Sequence, residues 1–112
     1  MSAARRIRVE DLRTGESSET FVGREHDASI SFFVNHATPG SGPRLHRHPY
    51  EEIFLVEAGE ATFTVGAETI DARAGDILVA PAGAPHKFVV RTHGYRSLNI
   101  HPVAAMETEW LE

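Results

Sequence analysis

The chain has 112 residues, room for one domain with one modest core, and its 41% hydrophobic and 24% charged composition is ordinary for a globular protein in water. A net charge of −5 disfavours a binder of nucleic-acid phosphates, and no apolar run approaches the roughly 20 residues that cross a bilayer. With no cysteine there is no disulfide, thiolate nucleophile or Cys-bound zinc, and with no signal-peptide pattern at its start the chain reads as cytoplasmic.

Short β-rich runs separated by Gly, Pro and polar turns recur along the chain, and helical periodicity is nearly absent. The basic run Arg5-Arg6-Ile7-Arg8 reads as part of a solvated first strand over 6–9, followed by an exposed polar loop over 13–20. Further strands are expected at 30–35, 44–48, 53–57, 61–65, 69–72, 77–80, 86–91 and 96–101. Gly66-Ala67 joins two of them as a tight hairpin, with Gly where a positive φ is required, and His93-Gly94 reads as a second such turn. This spacing suggests one all-β domain over 1–112, a barrel or jelly roll rather than alternating β and α units.

Alternation assigns the faces. In 86–91, His86, Phe88 and Val90 share one side. In 52–57 both sides are apolar: Phe54 and Val56 on one, Ile53 and Leu55 on the other. Such a strand needs cover from outside the barrel, for which the N-terminal strand, the Trp110-Leu111 tail and a second subunit are the candidates. In 96–101, Leu98 and Ile100 are assigned to the core, which turns Asn99 and His101 away from it.

Two stretches carry chemistry. In the first, His46 and His48 sit one residue apart on a strand, so both imidazoles point to one side and can reach one ion. Pro49 ends that strand, and the returning chain brings Glu52 in on the side of Phe54 and Val56, while Glu51 has surface parity. In the second, Pro81, Gly83 and Pro85 form a rigid turn that delivers His86 to the start of the next strand. A His-x-His pair alone is weak evidence in a chain with seven histidines, and a lone His86 is more often a polar strand-end residue.

Together the two stretches resemble the two sequence motifs of the cupin superfamily. The first matches at Gly40, His46, His48, Glu52 and Gly59, and the second at Gly75, Pro81, Gly83 and His86, with Val90 where that family usually has Asn. The resemblance covers 40–90 and implies a double-stranded β-helix (jelly-roll) barrel holding one divalent metal through His46, His48, Glu52 and His86. Three imidazoles and a carboxylate suit Mn, Fe, Ni, Cu or Zn, whereas Mg and Ca prefer oxygen donors. Six-coordination would leave two positions open for a ligand. The implied function is a metal-dependent enzyme (dioxygenase, isomerase or decarboxylase type) acting on a small polar or anionic molecule; the alternative is a non-catalytic small-ligand or sugar binding or sensing module using the same pocket.

Arg44 shares parity with His46 and His48, so it either enters the cavity to attract an anion or forms a rim ion pair. Tyr50, in the turn between ligands, is a candidate substrate contact, with surface packing as the plainer role. His26, His36 and His93 read as loop or strand-end residues, and Phe32, Phe54, Phe63 and Phe88 as core or pocket wall. A homodimer is expected, from the two apolar faces of 53–57 and because small cupins commonly dimerise.

Overall fold

A computed structural model describes residues 3–112. Ten strands form two antiparallel five-stranded sheets that face each other as a jelly-roll barrel. They are β1 (Ser18–Phe21), β2 (Ser31–Asn35), β3 (His46–Arg47), β4 (Glu52–Ala58), β5 (Glu60–Val65), β6 (Glu68–Arg73), β7 (Ile77–Ala80), β8 (His86–Val90), β9 (Arg96–His101) and β10 (Glu109–Trp110). One sheet has the order β1-β2-β9-β4-β7 and the other β10-β3-β8-β5-β6. No helix among the described residues is long and apolar enough to cross a membrane.

The hairpin at Gly66-Ala67 forms as expected: Val65 pairs with Glu68, and Gly66 takes a φ of 58°. Gly59 follows a register shift between Val56 and Ala58 in the β4–β9 ladder. Its φ is 77°, and a Cβ there would lie 2.7 Å from Thr92 Oγ1 and 2.9 Å from Tyr95 Cα. Only glycine meets both conditions.

The core fills one end of the barrel. Phe54, Val56, Leu78 and Ala80 from the first sheet meet Ala61, Phe63, Ala72, Phe88 and Val90 from the second, with Tyr95 alongside. Phe54 packs edge-on against Phe63 at 5.0 Å between centroids, and Phe63 stacks on Phe88 at 5.0 Å. Val90 is part of this core. Its backbone accepts from Gly40 N–H and donates to the Ser41 carbonyl.

Both N-terminal expectations need correction. No strand forms over 6–9; Val9–Leu12 is instead a single 3₁₀ turn. The arginine-rich run offers no apolar face to pair, and Val9 is exposed. Conversely, the segment expected as a loop contains β1, which pairs with β2. Its polar side is usable because Ser18 borders the cavity that holds the buried histidines and Glu19 receives His36 Nε2 at 2.7 Å, while Phe21 stacks on Phe32.

The outer face of the first sheet is apolar. Ile53, Leu55, Leu98 and Ile100 are half-buried there, and Ile77 and Val79 on the edge strand β7 are 66% and 56% exposed. The tail does not cover this face, since β10 joins the opposite sheet beside β3. The 3₁₀ turn packs on β1, at the edge of that sheet opposite β7.

Candidate metal centre

The site borders the aromatic core, with the Phe54 ring edge-on to His86 at 5.8 Å between centroids, and register builds it. β3 and β8 share one ladder pair, His46 with His86, which sets their rings 4.4 Å apart. The Pro81–Pro85 turn is clamped to the histidine strand by Gly83 N–H donating to the His48 carbonyl at 2.8 Å. Glu52 opens β4 and enters from the facing sheet. All four side chains are buried, and each offers one ligand atom within 4.8 Å of every other.

The backbone sets the tautomers. The Nδ1–H of His46 donates to the Arg44 carbonyl at 2.6 Å, that of His86 to the Ala84 carbonyl at 3.0 Å, and that of His48 to the Glu107 carbonyl at 2.8 Å. A carbonyl oxygen only accepts, so each Nδ1 carries the proton and each Nε2 presents a lone pair to the common centre. Glu52 Oε1 lies there too, 3.0 Å from His48 Nε2 and 2.9 Å from His86 Nε2. Four acceptors converging in a buried site require a cation or shared protons between them. The donor set therefore fits a transition-metal ion.

The electrostatics agree. Burial alone would raise the Glu52 pKa, but His101, His48 and His86 around the carboxylate override it and hold the group well below the ordinary carboxylate range. Desolvation lowers the His46 pKa. For His48 desolvation is outweighed by Glu52 and the Glu107 carbonyl, and its pKa rises. The site thus keeps an anion and favours a positive charge beside it.

A cavity of about 230 Å³ opens onto these ligands. Its lining includes Phe33, Phe54, Phe88, Trp110, Pro43, Asn35 and Asn99, together with His101. The structure reverses the expectation for β9: Ser97, Asn99 and His101 face inward and are buried, whereas Leu98 and Ile100 turn outward. The interior is polar at this end, so the apolar residues of the strand belong to the outer face.

His101 is the residue that face assignment missed. Tyr50 Oη accepts the Glu107 N–H at 3.2 Å and lies 2.7 Å from His101 Nδ1. The same hydroxyl lies 3.4 Å from the Glu107 carbonyl, and the other nitrogen of the His101 ring, Nε2, is buried 3.2 Å from Glu52 Oε2. Tyr50 also stacks on His48 at 5.1 Å between centroids, so it braces the site where plain surface packing was the simpler expectation. Arg44 lies outside the strand and outside the cavity lining; it is exposed, with its guanidinium 5.5 Å over the Trp110 ring.

The tail was also missed as a site element. Glu107 anchors His48 and Tyr50, and Trp110 pairs with His46 in β10, its ring 4.9 Å from the imidazole. A two-residue strand leaves no periodicity to read. The aromatic Trp110 in a polar stretch was the available signal.

The model of the cupin domain family matches residues 33–97. An uncharacterized protein of Streptomyces coelicolor is 34% identical over 65 residues, which make up 58% of this chain and 60% of that relative. Among solved structures, the formate complex of Lactobacillus farciminis oxalate decarboxylase superposes with a TM-score of 0.79 at 23% identity, over 91% of this chain and 34% of that one. Bacillus subtilis oxalate decarboxylase at pH 4.6 gives a TM-score of 0.79 at 21% identity, over 92% and 31%. A Streptococcus pyogenes protein of unknown function gives 0.66 at 21% identity, over 89% and 88%. This chain thus spans about a third of the length of either decarboxylase, and likenesses at these identities establish the shared fold.

Proposed function

Because this chain belongs to the cupin domain family, we propose that it is a metal-dependent enzyme acting on a small molecule, with His46, His48, Glu52 and His86 holding one divalent ion of Mn, Fe, Ni, Cu or Zn. The observation that carries this reading is the convergence of three imidazole lone pairs and one carboxylate at the floor of a cavity. When bound, such an ion supplies Lewis-acid polarisation or O₂ activation at the positions its protein ligands leave free. The chain's own residues do the rest. Backbone carbonyls fix the three rings, Tyr50 stacks on His48, and aromatic side chains line much of the cavity wall.

Elemental analysis of the purified protein should return one equivalent of transition metal, and turnover of a small-molecule substrate should follow the identity of that metal. Tight ligand binding without consumption under each of the five metals would replace this reading with a binding module.

The stabilisation by metal should depend on pH with a defined sign. His48, whose pKa is raised above 6.5, takes up a proton early as pH falls, and that proton occupies the lone pair the metal needs. In the metal-free protein the same proton strengthens the pairing with Glu52, a contribution present below 6.5 and lost as pH rises through the raised value. The Tm difference between metal-loaded and metal-free protein should therefore shrink from about pH 8 to about pH 5. A difference that stays constant across this range, read by scanning calorimetry, would count against the ligand set.

We also propose that the protein is a cytoplasmic homodimer whose subunits meet on the outer face of the first sheet, around Ile77 and Val79. Exposed apolar surface of this kind marks an interface. Light scattering should give a mass near twice 12.3 kDa, and Val79→Glu should halve it. A 12.3 kDa particle at micromolar concentration would refute the dimer.

A further inference from the structure

From the lining of the cavity we infer that the site takes a singly charged oxygen chelator with a compact apolar body, a ring or short branched chain, and discriminates against small dianions such as oxalate. This rests on the metal reading above. The first argument is charge. Glu52 is the one acidic lining residue and no Lys or Arg lines the cavity. A divalent ion beside one carboxylate keeps a net charge near +1, which one negative charge on the ligand balances. A dianion would leave an uncompensated negative charge beside the buried Glu52, and burying unpaired charge is costly. The one arginine on this stretch cannot supply the balance from where it sits, because Arg44 is exposed and rests over Trp110.

The second argument is shape and polarity. The walls beyond the ligands are Phe33, Phe88, Pro43 and Trp110, which offer apolar contact and ring stacking. The volume of about 230 Å³ is below the usual range for drug-sized ligands. At about 30 Å³ per water it holds roughly eight waters, the bulk of one ring with a two-oxygen head.

The third argument is hydrogen bonding. His101 Nε2 is buried with no hydrogen-bond partner, while its Nδ1 is engaged by Tyr50 Oη at 2.7 Å. Asn99 is buried with its carbonyl oxygen accepting the Ser97 hydroxyl at 2.8 Å, so its amide N–H groups are the part free for a ligand. Both suit the oxygens of a chelating head.

The test uses three probes on the Co²⁺-loaded full chain, followed by the visible d–d bands: acetohydroxamate, benzohydroxamate and oxalate. The two hydroxamates share a singly charged chelating head and differ in the ring; oxalate carries two charges and no apolar body. Benzohydroxamate should bind at least about tenfold tighter than acetohydroxamate, from burial of the ring against the aromatic walls, and tighter than oxalate by a similar margin. Trp110→Ala should reduce the preference between hydroxamates to within about threefold, read on the cobalt-loaded protein. Should that variant lose cobalt, the wild-type series alone decides. A full equivalent of cobalt with no preference for the ring, or with oxalate bound as tightly as benzohydroxamate, overturns this inference and leaves the metal reading standing. Failure to bind cobalt at all overturns the metal reading and this inference with it.

Discussion

His86→Ala is expected to reduce bound metal from one equivalent to well below it and to remove the metal-dependent part of the melting temperature. His86 is one of three rings whose Nε2 faces the centre, positioned there by its ladder pair with His46. An ion that binds only the folded chain stabilises it by about 2.7 kcal/mol at a hundredfold excess over Kd. For a domain of this size that is roughly 10 °C in Tm. The wild type should show this rise on metal addition, and the variant should show little of it. His86→Ala protein that retained a full equivalent at wild-type affinity, by elemental analysis and competition with a chromophoric chelator, would displace His86 from the ligand set.

Ending the chain after Met106 is expected to weaken metal binding by about 10–100-fold without unfolding the domain, the range seen when the outer partners of ligating histidines are removed. Truncation removes the Glu107 carbonyl that holds His48 Nδ1, the Thr108 hydroxyl 3.3 Å from the same nitrogen, and β10 with Trp110. None of the removed residues belongs to the buried core, so far-UV circular dichroism should keep its β signal. Metal affinity within about threefold of the full chain would show that His48 is oriented without the tail.

That His46, His48, Glu52 and His86 form one buried group, and that the chain folds as a barrel, was legible because the two stretches resemble the cupin motifs and their spacing rests on local patterns. His-x-His on a strand, a carboxylate after a proline-ended turn, and a histidine following Pro-x-Gly-x-Pro each place a side chain through short-range geometry. The orientation of β9 was not legible in that way. Its two faces, Ser97-Asn99-His101 and Leu98-Ile100, follow the alternation rule equally well. Which one faces inward depends on where the polar end of the barrel lies and on what covers the outer sheet face. The same logic misplaced residues 13–20: a polar strand looks like a loop until the cavity it borders is known. Arg44 illustrates a third limit. Parity assumed a strand reaching back to residue 44, but β3 contains only His46 and Arg47, and parity carries no meaning beyond its ends.

Two of the three histidine rings are held from within their own turns, His46 by Arg44 and His86 by Ala84, each two residues away, whereas the carbonyl that holds His48 comes from Glu107, 59 residues further along the chain. That third anchor belongs to a segment tied to the sheet by a two-residue strand, and so to the part of the molecule that opens at low free-energy cost. An ion held there would therefore leave through transient lifting of the last few residues, which is more frequent than global unfolding. Any contact that pins or frees the tail would change how quickly the site loads and empties as well as how tightly it holds.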